Sequence, residues 1–522
     1  MGNYQVKGDH NYYCQECGRR QKASAIKKRW DGAFVCSRCF ELRNPVEYQV
    51  YKEKPAIAYP TNQVRITSDS DRDFSITDIS GASVSYTCGA NTTIQQMRIN
   101  RSVSLCTAWE TFEPSLQATE TTKFGDATIN VSGQQGGQRS LALNEDGTIL
   151  VSGLPNSTHI STGGGVNIWQ RTGNSWAIIQ QLTNPGSAPA SDEFGNAVDI
   201  TPDGNIIVVG ARSANHATTP VTDGRVWIYK KSGGLAWVLD HNIGPSDDPA
   251  AADFGWDVSI SSDGIWLVVG APAAGQIYIY ENVNGTFVER QIRTGSLTIS
   301  SFYARAVNIS KDGKYIAVGD YGNDTGTADK GAVFIYEKDT GGTGNWGEQA
   351  ALQSTYGWNV AQEQFGGDVA LSCDGTYLLV GCRNANRVGG PAPGGVREGA
   401  IERWKRTNTS WAFDYTADYQ KSLTSGSGQL GEEVVIATTG AVGFAGGSLA
   451  DVGITDAGVV EGYDFSVNND YTNMLASVRT TNDHYGTSLA LSTNNKVLVV
   501  GAPDQDTYAS NGGALYYFAV AL

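Results

Sequence analysis

The sequence predicts a mainly β chain: a ring of seven four-stranded sheets, preceded by a small metal-stapled head and a short β-rich linker region. Three observations carry that expectation. A chain of 522 residues with 63 glycines and only 17% charged residues has the balance of many short strands joined by tight turns. One pattern recurs seven times from residue 137 onward, and four of the eight cysteines fall within the first 39 residues.

The repeat consists of an aromatic-Gly pair, an alternating strand, Asp-Gly, a run of Val, Leu and Ile, and then Gly-Ala. It is clearest from Phe194 (FGNAVDITPDGNIIVVGAR), Phe254 (FGWDVSISSDGIWLVVGAP) and Phe365 (FGGDVALSCDGTYLLVGCR). Weaker copies begin at Tyr303 and Tyr485, and degenerate ones at Gly137 and Leu430, so the starts fall 57, 60, 49, 62, 65 and 55 residues apart. Most copies are followed by a third strand, such as GRVWIYKK from Gly224, and often by a fourth carrying a Trp or Phe. Each repeat therefore reads as one four-stranded antiparallel sheet. The Val-Val-Gly-Ala strand is apolar on both faces, so it belongs between two sheets, and a ring of sheets gives every unit that environment. The expectation for residues 124–522 is a seven-bladed β-propeller of four-stranded antiparallel blades. A linear solenoid would need polar caps, whereas the last repeat is as apolar as the middle ones. The Asp-Gly pairs are expected to supply positive backbone angles at a tight hairpin. The Gly of Gly-Ala is expected to let backbones crowd near the axis of the ring.

Phe254-Gly255 and Gly270-Ala271-Pro272 resemble the FG-GAP repeat of integrin-α-like propellers, and seven copies match that family's usual count. Some of its members bind calcium in acidic loops. Asp320 with Asn323 and Asp324, and Asp504 with Asp506, lack the regular alternation of oxygens closed by Gly, so calcium is not expected.

The four early cysteines are spaced Cys14-x2-Cys17 and Cys36-x2-Cys39 across an 18-residue gap. Each pair forms a knuckle aimed at one ion, and a hairpin in the gap brings the knuckles together as a tetrahedral thiolate set. Four protein thiolates leave no open position, so the expected zinc is structural. Two disulfides are the alternative, less suited to a cytoplasmic origin. Cys-x2-Cys-Gly, then Trp30-Asp31-Gly32, Cys-x2-Cys and Glu41-x-Arg43-x-Pro45 resembles a zinc-ribbon module of tailed-bacteriophage structural proteins, with Asn44 where that module usually has His. The resemblance spans about a tenth of the chain. It implies a zinc ribbon over residues 1–45 that anchors a phage virion component.

Residues 46–123 read as a linker with Pro55 and Pro60, followed by a small β-rich segment containing SVSYTC and RSVSLC. Cys88 and Cys106 are expected as unpaired buried thiols, and Cys373 and Cys382 as free core residues.

Residues 1–54 hold 11 Lys and Arg against 6 Asp and Glu, and the remainder 27 against 47, so a head of net +5 precedes a body of net -20. The acidic body is unsuited to nucleic acid and anionic lipid, and neither nucleic acid nor membrane is expected as a partner. The N-terminus has no apolar leader, which suggests synthesis in a host bacterial cytoplasm and assembly into the virion.

The five histidines, His10, His159, His216, His241 and His484, share no spacing with a nucleophile or ligand pair. Asp203, Asp263, Asp312 and Asp374 recur at one hairpin position and read as turn residues. The functional expectation is a non-enzymatic virion protein of the fibre, collar or surface-decoration type. It would attach to neck, capsid or tail in several copies or as a homo-oligomer, and display the propeller for a host-surface glycan or a neighbouring subunit. The alternative is a glycan depolymerase with an acidic site on the propeller face. Lacking residues for a fourth strand, the last repeat is expected to borrow Ala127–Val131 to pair with residues 514–521.

Overall fold

A computed structural model describes residues 116–127, 135 and 137–521, short loop segments excepted, and before them 11–13, 20–22, 25–28, 34–36, 74–77 and 83–86. The chain divides into two units, Met1–Ile99 and Asn100–Leu522. The first contains three antiparallel hairpins: Asn11–Tyr13 with Arg20–Lys22, Ile26–Lys28 with Phe34–Cys36, and Phe74–Thr77 with Ser83–Tyr86. Val35 is buried. Cys14, Cys17 and Cys39 lie outside the described residues, as do Cys88 and Cys106, and Cys36 is described only as the last residue of its strand.

The second unit is a seven-bladed propeller. Blade 2 is typical, with strands Val198–Ile200, Ile206–Ala211, Arg225–Lys231 and Trp237–Ile243 hydrogen-bonded in that order, all antiparallel. The same order repeats in blades 1, 3, 4, 5 and 6, whose first strands are Leu141–Leu143, Val258–Ile260, Ala306–Ile309, Phe365–Leu371 and Glu433–Ile436. Blade 7 combines Ser488–Leu491, Val497–Ala502 and Ala514–Ala521 with Gln117–Phe124. Residues of all seven first strands surround one axial cavity.

The core is divided into seven hydrophobic clusters, each shared by two adjacent blades. The second strand of blade 3 shows why both its faces are apolar. Leu267 and Val269 pack toward blade 2, and Trp266 and Val268 toward blade 4. The Gly before Ala serves the same interface: a Cβ on Gly210 would lie 2.3 Å from the carbonyl oxygen of Gly255, and one on Gly381 would lie 1.9 Å from that of Gly431. Backbones crowd between blades because Gly meets the aromatic-Gly pair of the next repeat.

The hairpin turns differ from the expected form. Gly204, Gly264, Gly313 and Gly375 have positive φ, but the preceding aspartates do not. The aspartate acts through its side chain instead: Asp263 Oδ1 accepts from Ser261 Oγ at 2.6 Å and from the Ile265 N–H at 2.9 Å. Asp203, Asp312 and Asp374 make the equivalent pairs. A two-residue turn with both centres left-handed would not place this carboxylate between those partners.

The ring closes with a strand from before the first repeat, but not the expected one. Leu515 through Ala521 pair with Phe124 back to Gln117, and Ile129 and Val131 lie outside the described residues. Residues 117–123, read from sequence as the end of the linker and β-rich region that precedes the propeller, are thus part of the outer strand of blade 7. An outermost strand has little apolar surface to reveal it; QATETTKF buries Phe124 and is otherwise mostly polar. Cys373 is also a correction: it is disulfide-bonded, whereas Cys382 is free and buried.

Candidate functional site: the axis of the ring

The first strand of each blade borders the axial cavity with one edge, leaving backbone N–H groups that no further strand can pair. Side chains of the neighbouring blade satisfy several of them. Asp257 on blade 3 accepts the Val307 N–H of blade 4 at 2.7 Å, and Asp368 on blade 5 accepts the Val434 N–H of blade 6 at 2.8 Å. Two residues further along, Asp199 accepts the Ile260 N–H at 2.8 Å, Ser259 Oγ that of Ile309 at 3.2 Å, and Asn308 that of Leu371 at 2.9 Å. These acceptors stitch blade to blade in one direction around the axis.

Arg139 occupies the centre. It precedes the first strand of blade 1 with φ 59°. Its guanidinium crosses to blade 5, where Nη2 donates to the Gly367 carbonyl at 3.0 Å. Nε lies 3.4 Å from Asp257 Oδ2 and Nη2 lies 3.5 Å from Asp368 Oδ1. Glu433 completes the cluster from blade 6, with Oε2 buried and lacking a hydrogen-bond partner among the described residues.

Burial controls the protons here. It raises Asp257 to about 7, against the lowering effect of Arg139 and the Val307 N–H. Burial likewise raises Asp368, and it drives Glu433 well above the usual carboxylate range, helped by the charges of Asp368 and Asp257. Arg139 is desolvated too, but Asp368, Asp257 and Glu433 outweigh that loss and hold it charged. With one guanidinium among three carboxyls, burial and the like charges of Asp368 and Asp257 favour the protonated form of Glu433.

The cavity volume is about 180 Å³, below the roughly 300 Å³ at which small-molecule pockets begin. Three of its carboxylates, Asp199, Asp257 and Asp368, are committed to backbone N–H groups of the next blade. The arrangement ties the inner edges of blades 1, 3, 4, 5 and 6 together at the axis.

The other residues singled out from sequence are scattered. His241 Nδ1 meets Asp240 and His484 Nδ1 meets Asp504, each at 2.6 Å, at separate places on the ring. Asp320 is bonded to Ser300 and Asn323, and Asp324 accepts the Asp329 N–H, so these side chains tie their own loops. Sequence reasoning missed Arg139, which stands in the most degenerate repeat. No signal set it apart, because the equivalent position, the third of each repeat, carries Asn196, Trp256, Arg305, Gly367, Glu432 and Thr487 in the other copies.

The fold and axis define a seven-bladed β-propeller. The FG-GAP repeat family matches residues 470–518, the outer strand of blade 6 together with most of blade 7. No curated protein sequence matches the chain. Among solved structures, the chain is similar to the β-propeller domain of Myceliophteria thermophila Cps50 (Swd1), at 11% identity over 78% of this chain and 100% of that one, with a TM-score of 0.49. It is also similar to Kuenenia stuttgartiensis hydrazine synthase, at 15% identity over 74% and 97% of the two chains, with a TM-score of 0.46. A third similar structure is a functionally unknown protein from Desulfotomaculum acetoxidans, at 11% identity over 69% and 96%, with a TM-score of 0.44.

Proposed function

We propose that this chain is a structural protein of a phage virion, of the fibre, collar or surface-decoration type. A zinc ribbon at residues 1–45 anchors it to neck, capsid or tail, and the propeller is displayed for contact with a host-surface glycan or an adjacent subunit. The observation that carries this reading is the Cys14, Cys17, Cys36, Cys39 spacing within the phage-like module. Two features of the described backbone fit that donor set. Cys14 and Cys17 fall in the six-residue connection between paired strands Asn11–Tyr13 and Arg20–Lys22, and Cys36 ends a second hairpin. Zinc held there would supply folding energy to a segment too small for a core of its own.

The reading is one of binding and not of catalysis, because the axial carboxylates that a depolymerase would use serve as blade-to-blade acceptors. The test is particle assembly. Deleting residues 1–54 is expected to abolish incorporation and leave a folded propeller; normal incorporation would overturn the anchoring role. Metal analysis of the purified full-length protein is expected to find one zinc per chain, lost together with the head's structure on Cys17→Ser, and a zinc-free preparation would overturn the ribbon.

A further inference from the structure

On the face of the ring where the aromatic-Gly and Gly-Ala elements lie, arginines and aromatic rings alternate across four consecutive blades. The Arg212 guanidinium of blade 2 lies 4.0 Å from the ring centre of Trp256 on blade 3, whose indole is also 4.2 Å from the Arg305 guanidinium of blade 4. Arg305 in turn lies 4.7 Å from Phe302, which stacks on Tyr321 with centroids 4.5 Å apart. Tyr321 carries the Arg383 guanidinium of blade 5 at 4.1 Å. The rings fix the three guanidinium planes in position, and cation-π contact lowers the entropy lost when they engage a ligand.

Among the described residues, few of their donors are spent. A guanidinium has five N–H groups. Arg212 donates through Nε to Glu193 at 2.5 Å, Arg305 through Nη1 to Tyr321 Oη at 2.9 Å, and Arg383 through Nε to Gln364 at 2.6 Å. Arg305 Nε is buried with no hydrogen-bond partner among the described residues. Burial lowers the pKa of Arg305, and the positive charges of Arg139 and Arg383 act in the same direction, so an anion beside it would relieve a strain already present. Asp253, half-buried near Arg212 and Arg305, is raised by its own burial against the lowering effect of their charges.

We infer that this ladder is the ligand face of the propeller and that it takes a carboxylate-bearing polysaccharide, with carboxylates docking on the outward forks of Arg212, Arg305 and Arg383. The inference rests on the glycan-display reading above and specifies its ligand class. Charge density selects among polyanions. Nucleic acid carries about one charge per 1.7 Å of duplex and is repelled by a body of net -20, whereas a sugar acid polymer presents separated carboxylates that suit three separated guanidiniums. Glu193 and Asp253, interleaved with the arginines, raise the same barrier to dense polyanions.

The test uses the full-length protein, titrated calorimetrically with polygalacturonate, its fully methyl-esterified form, polysialic acid, dextran and a 20-nucleotide single strand. At least one carboxylated polymer is expected to bind, at least tenfold more tightly than the esterified polymer and dextran, with affinity falling as salt rises. Arg305→Gln and Arg383→Gln are each expected to weaken that binding at least tenfold. Arg290→Gln, on the outer strand of blade 3, should leave it unchanged. A thermal melt of each variant separates loss of binding from loss of fold, and Arg383→Gln serves if Arg305→Gln does not fold. Binding to carboxylated polymers that survives both substitutions, binding confined to dextran or the ester, or preference for the oligonucleotide overturns the inference; the second of these leaves the glycan-display reading standing. Binding to none of the polymers overturns the inference, while the anchoring role is judged separately by particle incorporation.

Discussion

Replacing Arg139 with Met tests the axial hub, because the cost should depend on pH in a direction the geometry fixes. The substitution keeps much of the aliphatic bulk and removes the guanidinium facing Asp257, Asp368 and Glu433. At pH 8, buried carboxylates would lose their partner, a change that costs roughly 3–5 kcal/mol in comparable sites. The sign follows from linkage. Asp257 titrates near 7 in the folded protein against an ordinary value of 3.8, so the native state binds more protons than the unfolded one between about pH 4 and pH 7. Stability from this group is therefore highest at the acid end and falls as pH rises through that window, by roughly 4 kcal/mol in all. Without Arg139 the carboxyls hold their protons to still higher pH. At pH 5 they are neutral, and the variant should lose only the bond to Gly367 and some packing, about 1 kcal/mol. Urea midpoints of wild type and Arg139→Met at pH 8 and pH 5 measure this difference. An equal loss at both values, or a larger loss at pH 5, would show that Arg139 does not neutralise buried carboxylates.

Further outcomes follow from the blade interfaces. Gly381→Ala should destabilise the propeller by about 3 kcal/mol or more, since its Cβ would sit 1.9 Å from a backbone oxygen of the next blade, while Gly367→Ala, whose nearest neighbour is 3.5 Å away, should cost far less; thermal melts compare them. A chain beginning at residue 125 loses the strand paired with Leu515–Ala521 and should melt lower and self-associate through the exposed edge, whereas one beginning at residue 100 should remain monodisperse by light scattering. Asp263→Ala removes the acceptor of Ser261 and Ile265 and should cost about 1 kcal/mol, read from the urea midpoint.

The local grammar of the blades was legible in the sequence. Phe254-Gly255, the run at Trp266–Ala271 and the strand from Gln276 give one sheet with two apolar faces, and repetition of that unit dictates lateral stacking in a ring, because no single blade can bury both faces alone. What the sequence could not show were the relations that join distant residues. Gln117–Phe124 is mostly polar because its outer edge meets no further strand, so nothing local marks it as the partner of Leu515–Ala521. Arg139 looked like a flaw in a degenerate repeat, and only closure of the circle brings it against Asp257 and Asp368 from blades 3 and 5. The position after the aromatic-Gly pair reads Asn196, Trp256, Arg305, Gly367, Glu432 and Thr487, a variability that carries no period. The tertiary structure turns it into a surface by setting Trp256 between Arg212 and Arg305, since a side chain's neighbours across a blade interface are chosen by ring geometry and not by distance along the chain.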